Sequence, residues 1–156
     1  MKINIAIDGP GAAGKSTIAK CLAKKLNYVH LDTGAMYRST AYKALQNHIC
    51  LEDEEAVCKM LENTKIQLAT DGSIFLDGED VSDKIRTNEM SLAASLVSKL
   101  AKVRRMLVER QQEMAKEKGF IMDGRDIGTV VLTDAVVKMP IGVTFTKIGA
   151  RRLPTS

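Results

Sequence analysis

The sequence predicts an α/β fold in which a parallel sheet is flanked by helices, and three observations carry that prediction. Short apolar runs end in an acid or a turn, as in "KINIAIDG", "YVHLD" and "GFIMDG". Segments with apolar residues three and four apart follow the first two of these runs. The 156 residues contain no internal repeat and no low-complexity linker, so the elements belong to one ordinary domain.

Each element follows from its own pattern. "KINIAIDG" is rich in Ile and stops at Asp8 and Gly9, the mark of a buried parallel strand followed by a loop. After the glycines, Ile18, Leu22 and Leu26 recur every fourth residue with Ala19 and Ala23 beside them, which gives a helix one apolar face. "YVHLD" reads as the second strand, and "TGAMYRSTAYKALQNH" as a helix through Met36, Ala41, Ala44 and Leu45. "LEDEEAVCKMLENT" continues as a helix with Ala56, Val57, Met60 and Leu61 as its stripe.

The rhythm then changes. In "IQLATDGSIFLDGEDV" an Asp71-Gly72 turn separates Ile66 and Leu68 from Ile74 and Leu76, which fits a β-hairpin inserted on the main sheet. Two helices are expected next, at about residues 88–101 and 102–118, the second carrying Val103, Met106, Leu107 and Met114 on one face. "GFIMDG" is another buried strand, and "TVVLTDAVVKM" supplies more β-branched material. In "PIGVTFTKIGARRLPTS", Pro140 and Gly142 interrupt what should be core, and no closing helix follows.

Composition narrows the function classes. Hydrophobic residues at 45% and charged residues at 27% are close to globular averages and suggest neither a disordered nor a membrane class. A net charge of +4 suits an anionic partner, but aromatics at 4% and the absence of Trp leave little for stacking on single strands, so no nucleic-acid partner is expected. Cys21, Cys50 and Cys58 show no paired spacing and read as small buried hydrophobes in a reducing compartment, the cytoplasm. "INIAI" after Lys2 is too short for a secretion signal, and no stretch has the length of a membrane span.

Residues 9–17 carry the strongest chemical signal. Gly9, Gly14, Lys15 and Ser16 satisfy G-x-x-x-x-G-K-[ST] between a predicted strand and a predicted helix. In such a loop, running here through Pro10, Gly11, Ala12 and Ala13, backbone N–H groups point at phosphate oxygens near the positive end of the helix. Lys15 would reach the β and γ phosphates of ATP, and the Ser16 hydroxyl would serve as a Mg²⁺ ligand. Thr17 starts the helix and is placed for an α-phosphate contact. The bland alternative is a glycine-rich turn with an exposed lysine.

Two further clusters lie after strands, "LDTGAMYR" and "MDGRDIGT". Ligands of open parallel sheets bind at the carboxyl ends of strands, so both clusters are expected to face the phosphate loop. Arg38 and Arg125 suit bidentate binding of a phosphate, and Asp32, Asp123 and Asp126 suit orienting arginines or binding sugar hydroxyls. Helix capping by Asp32 and a solvated helix face for Arg38 are the competing explanations.

With these motifs in view, the chain resembles the bacterial cytidylate kinases, P-loop kinases that phosphorylate CMP and dCMP. The resemblance runs from "INIAIDGPGAAGKSTIAK" through "LDTGAMYR", "LDGEDVSDKIRTNEMS", "ASLVSKLAKVRRMLVERQQ" and "GFIMDGRDIGTVV" to about Lys138. It implies a single P-loop nucleoside monophosphate kinase domain over 1–156, with a core of 1–60 and 102–138, a monophosphate-binding insert of about 61–101 and an atypical tail, 139–156. It implies that Thr33 lies near the bound nucleotide, that Arg38 grips the CMP phosphate, that Ser95 and Arg104 read the cytosine ring, and that Arg125 and Asp126 act at the acceptor nucleotide. Arg105 and Arg110 are left as a solvated basic face, and His30 and His48 as structural or surface residues.

The implied reaction uses ATP and Mg²⁺ with CMP or dCMP, without a membrane and as a monomer, with Lys15, Arg38 and Arg125 as its catalytic side chains. The resemblance implies that family members continue into another strand, an arginine-bearing lid and a final helix, and Arg151 and Arg152 of the tail are only weak substitutes for the lid arginines. A nucleotide-binding protein without turnover, or a different small-molecule P-loop kinase, remains open at this point.

Overall fold

β1 (Ile5–Asp8) is central in a four-stranded parallel sheet of order β2-β6-β1-β7, with β2 at Val29–Asp32, β6 at Phe120–Gly124 and β7 at Val137–Pro140. The computed structural model describes residues 2–9, 14–69, 71–135 and 137–140. Pro10, Gly11, Ala12 and Ala13 of the glycine loop, and Gly142, Arg151 and Arg152 of the tail, lie outside the described residues. Ile5, Ala6 and Ile7 point alternately to the two faces of the sheet and are all buried, so both faces of β1 are covered, and this is why the strand reads as continuously apolar.

The described chain divides into two compact units, Met1–Asp32 with Ala115–Ser156, and Thr33–Met114. In the first, α1 (Lys15–Leu26) packs Ala19 and Ala23 against Ile5, Ile7 and Ile121. The expected apolar face is shifted. Ile18 and Leu22 are only partly buried and Leu26 is 45% exposed, because the helix lies close enough to the sheet that alanines take the contact. Cys21 projects beside that stripe and is exposed, as is Cys50 beyond the end of α2, so only Cys58 is the buried thiol expected of all three.

Residues 129–132 contain no strand. The chain leaves β6 through a π-helical turn, Ile127–Val131, and resumes extended structure at Val137. Ile127, Val131 and Leu132 are buried there, so their apolar character serves packing of the turn rather than a sheet. Pro140 ends β7 in register with Asp8, a strand end where its missing N–H is tolerated.

The second unit holds α2 (Thr33–Gln46), α3 (Glu54–Glu62), α4 (Asn88–Val97) and most of α5 (Ala101–Ala115). Asp53 and Thr87 cap α3 and α4, accepting from Ala56 N and Met90 N at 3.2 Å each. Ala41 of α2 packs with Met90, Ala93 and Val97 of α4. Val103 and Leu107 of α5 are fully buried, together with Gln111, which the apolar pattern alone does not mark.

The insert is larger than a hairpin. β3 (Ile66–Leu68), β4 (Ile74–Leu76) and β5 (Glu79–Asp80) form an antiparallel sheet of three strands. The tight two-residue turn is Asp77-Gly78, both with positive φ, between β4 and β5.

Candidate active site

The three strands β1, β2 and β6 run parallel and bring their carboxyl ends level. In register, Ile7 pairs with Asp123, Asp8 with Gly124, and Asp32 with Asp123. Gly9 N donates to Gly124 O at 3.1 Å, so the start of the glycine loop is fixed to the strand that delivers Arg125 and Asp126. The structure thus joins two of the sequence motifs at one sheet edge, where an α/β fold places its ligands.

Lys15 opens α1, partly buried, and Ser16 follows it, also partly buried, while Thr17 is exposed. Gly14, immediately before them, has φ +77, a conformation that costs an L-residue about 1–2 kcal/mol. The first N–H groups of α1, which follow it, have no partners within the helix.

At the other motif, Asp126 has φ +57 and heads the π-helical turn, with Val130 N donating to its carbonyl at 2.9 Å. Arg125 and Asp126 are both exposed, which leaves their charges available to an anion or to hydroxyls. Asp123 is fully buried and shares a 3.0 Å hydrogen bond with His30 Nε2. Alternation along β2 turns His30 toward that acid, so the histidine has the structural role expected of it. His48 is exposed, with φ +56, just past α2.

In the second unit, Thr33 is buried at the start of α2 and Arg38 lies partly buried one turn further along. Ser95 is exposed on α4, and its hydroxyl donates to Leu92 O at 2.6 Å. Arg104 is exposed on α5, and its guanidinium lies near Tyr37 of α2. Burial pushes the Tyr37 phenol above its ordinary range, and Arg104 partly offsets that. Tyr37 is therefore neutral near pH 7 and available as an acceptor.

Arg110 departs from the solvated face expected for it. It is partly buried and donates to Leu61 O, where it satisfies a carbonyl at the end of α3. Arg105 is exposed as expected. Three contributors escaped the sequence reading: Tyr37, whose partner is distant in sequence, the His30–Asp123 pair, and Asp8, whose carboxylate accepts from Ile127 N and Gly128 N. In the sequence Asp8 marks only the end of a strand.

A central β1 flanked by parallel neighbours, a left-handed glycine before a lysine at the first turn of α1, and an arginine-bearing turn beside it make up the α/β core of a P-loop kinase. Residues 5–155 match the family model "Cytidylate kinase". The chain is 54% identical to the cytidylate kinase of Caldicellulosiruptor bescii over 154 residues, 97% of this chain and 68% of that protein. It is 49% identical to that of Geobacillus sp. over 96% of this chain and 68% of that protein, and 52% identical to that of Bacillus thuringiensis over 88% and 63%. The chain belongs to the cytidylate kinase family, and it spans roughly two thirds of the length of these relatives. The family match runs well past Lys138, where the resemblance read from motifs stopped.

Proposed function

We propose that this protein transfers the γ-phosphoryl group of ATP to CMP and dCMP, giving ADP and CDP or dCDP. The observation that supports this reading is the hydrogen bond from Gly9 N to Gly124 O, which ties the residue that begins the Lys15 motif to the residue just before Arg125 and Asp126 at the carboxyl edge of the sheet. A phosphate donor site and a second anion-binding turn in one place are what phosphoryl transfer to a monophosphate requires.

Roles follow from residue chemistry. The loop from Gly9 to Gly14, with Lys15, Ser16 and Thr17, takes the phosphates of ATP. Ser16 offers a partly buried hydroxyl on the first turn of α1, a hard oxygen of the kind that suits Mg²⁺. Bound there, Mg²⁺ supplies charge neutralisation on the donor phosphates. Arg38 holds the CMP phosphate, Arg125 acts on charge at the acceptor, and Asp126 and Asp32 accept from arginines or sugar hydroxyls. Thr33 lies near the nucleotide, and Ser95 and Arg104 read the cytosine edge, where a wrong base would leave polar groups unpaired.

A CMP phosphate oxygen forms a new bond to the γ-phosphorus as the bond to the β,γ-bridging oxygen breaks, and ADP leaves with that electron pair. No general base is needed, because a phosphate monoester with its second pKa near 6 is already largely dianionic at neutral pH. Among the described residues no helix is long and apolar enough to cross a membrane. We take the enzyme to act in the cytoplasm, as a monomer, on free nucleotides.

The test is CDP formation by the purified chain with ATP, Mg²⁺ and CMP, with Lys15→Ala as control. Lysine-dependent turnover supports the reading. Binding of both nucleotides by a folded chain without CDP formation would replace it with a nucleotide-binding role.

A further inference from the structure

Asp8 ends β1, one residue before the glycine loop, and each of its carboxylate oxygens has a backbone partner. Oδ1 accepts from Ile127 N, and Oδ2 accepts from Gly128 N at 2.9 Å. These are the first two N–H groups of the π-helical turn, which lack partners within the turn itself. Two consecutive amides need two acceptors fixed at one spacing, which a carboxylate supplies and a carboxamide does not. Gly128 makes the approach possible: a Cβ there would lie 3.3 Å from Asp8 Oδ2 and 3.1 Å from Lys138 Cδ.

The residue just before the clamped pair is Asp126, a non-glycine held at φ +57, and Arg125 precedes it. A left-handed aspartate costs free energy and persists where its surroundings fix it. Here the carboxylate grips the chain immediately downstream, and the Gly9–Gly124 hydrogen bond fixes it immediately upstream. The Arg125–Asp126 turn is therefore held at both ends by the segment that leads into the phosphate loop.

We propose that Asp8 is a positioning residue for phosphoryl transfer: it sets the Arg125–Asp126 turn through the Ile127 and Gly128 amides. The proposal rests on the kinase reading given above. Asp8 contacts neither nucleotide in this scheme and acts only through the turn.

Its test has a structural arm and a kinetic arm. In Asp8→Asn, amide exchange at Ile127 and Gly128 is expected to accelerate while the amides of β1 and β6 stay protected; unchanged exchange at both would overturn the clamp. Kinetically, Asp8→Asn is expected to lower kcat by roughly tenfold to a hundredfold while KM for ATP and CMP moves by less than about threefold. In an Arg125→Ala background the same substitution should cost less than about threefold more, since the arginine it positions is gone. Losses that simply multiply would overturn the positioning role. Gly128→Ala crowds the same carboxylate from the opposite side, is expected to reproduce the kcat loss, and carries the test if Asp8→Asn fails to fold. Absence of CDP formation by the wild type would overturn the kinase reading and the positioning role with it, while the exchange arm would still decide whether the clamp exists.

Discussion

Lys43 Nζ lies 2.5 Å from Asp77 Oδ2 and joins α2 to the turn between β4 and β5. The other Asp77 oxygen accepts from Lys65 N at 2.8 Å, and Lys43 also donates to Thr64 Oγ1 at 2.8 Å. One carboxylate thus closes the small sheet and ties it to a helix. The Lys43 hydrogen bond and then the Lys65 amide hold the Asp77 carboxyl below its ordinary range. A folded-state value below the unfolded one means that this stabilisation is complete above the ordinary carboxyl value of about 3.9, and is lost as pH falls through the folded value. Asp77→Asn preserves a residue that tolerates positive φ, and is expected to cost on the order of 1 kcal/mol at pH 7. Denaturant titrations at pH 7 and pH 3 check this: the gap between wild type and variant should narrow at the lower pH, and an equal gap at both would assign the effect to the turn backbone.

Lys15→Ala should reduce CDP formation by roughly a thousandfold or more, because the charge it supplies matters most as phosphate charge redistributes. Lys15 begins α1 and is only partly buried, so the melting temperature should change little. A coupled assay for ADP and a thermal melt answer both points, and retained turnover would remove Lys15 from the donor site.

Gly14→Ala separates backbone from side chain at the same place. A Cβ on Gly14 meets nothing within 4 Å among the described residues, so its cost is conformational, about 1–2 kcal/mol from φ +77. Relief of that strain would turn the first amides of α1, so KM for ATP is expected to rise by several-fold more than KM for CMP. Steady-state kinetics with each substrate varied in turn would show it, and an equal rise in both would point to general loss of structure.

The parallel sheet was legible because buried strands leave an unmistakable run of apolar residues before a turn, as in Ile5–Asp8 and Phe120–Gly124. The phosphate loop and the "DGRD" turn were legible as motifs, but their hydrogen-bonded connection through Gly9 and Gly124 depends on parallel register that no local pattern encodes. β5 had a signal, since Asp77-Gly78 is as good a hairpin turn as Asp71-Gly72, but its strand is only two residues long and fully polar. Val131 misled because a β-branched residue also packs in an irregular turn when a carboxylate such as Asp8 satisfies its amides, while Val130 beside it is exposed. Tyr37 gave no sign, because its partner Arg104 comes from another helix far along the chain.

The thiols offer a check on packing that needs no activity. Cys21 and Cys50 are exposed, whereas Cys58 is buried on α3. Burial, and then the charges of Glu54 and Glu55, push the Cys58 thiol up, which lowers its thiolate fraction further. An aromatic disulfide reagent at pH 8 should therefore titrate two thiols per native chain promptly and the third only in denaturant. Three equally fast thiols would contradict the packing of α3.

Tyr37→Phe tests recognition of the acceptor base through a residue that the motifs did not single out. The ring remains to fill its partly buried place on α2, so stability should change by no more than about 1 kcal/mol, while the Arg104 guanidinium loses a polar neighbour. An exposed guanidinium without that neighbour samples more rotamers, and the cost of ordering it then falls on the binding of cytosine. KM for CMP is expected to rise by roughly twofold to tenfold with KM for ATP unchanged, and the preference for CMP over UMP should narrow. Kinetics with both monophosphates at saturating ATP provide the measurement. An unchanged preference would mean that Arg104 is not held for base recognition by Tyr37, and that the tyrosine hydroxyl serves only the packing of α2 on α5.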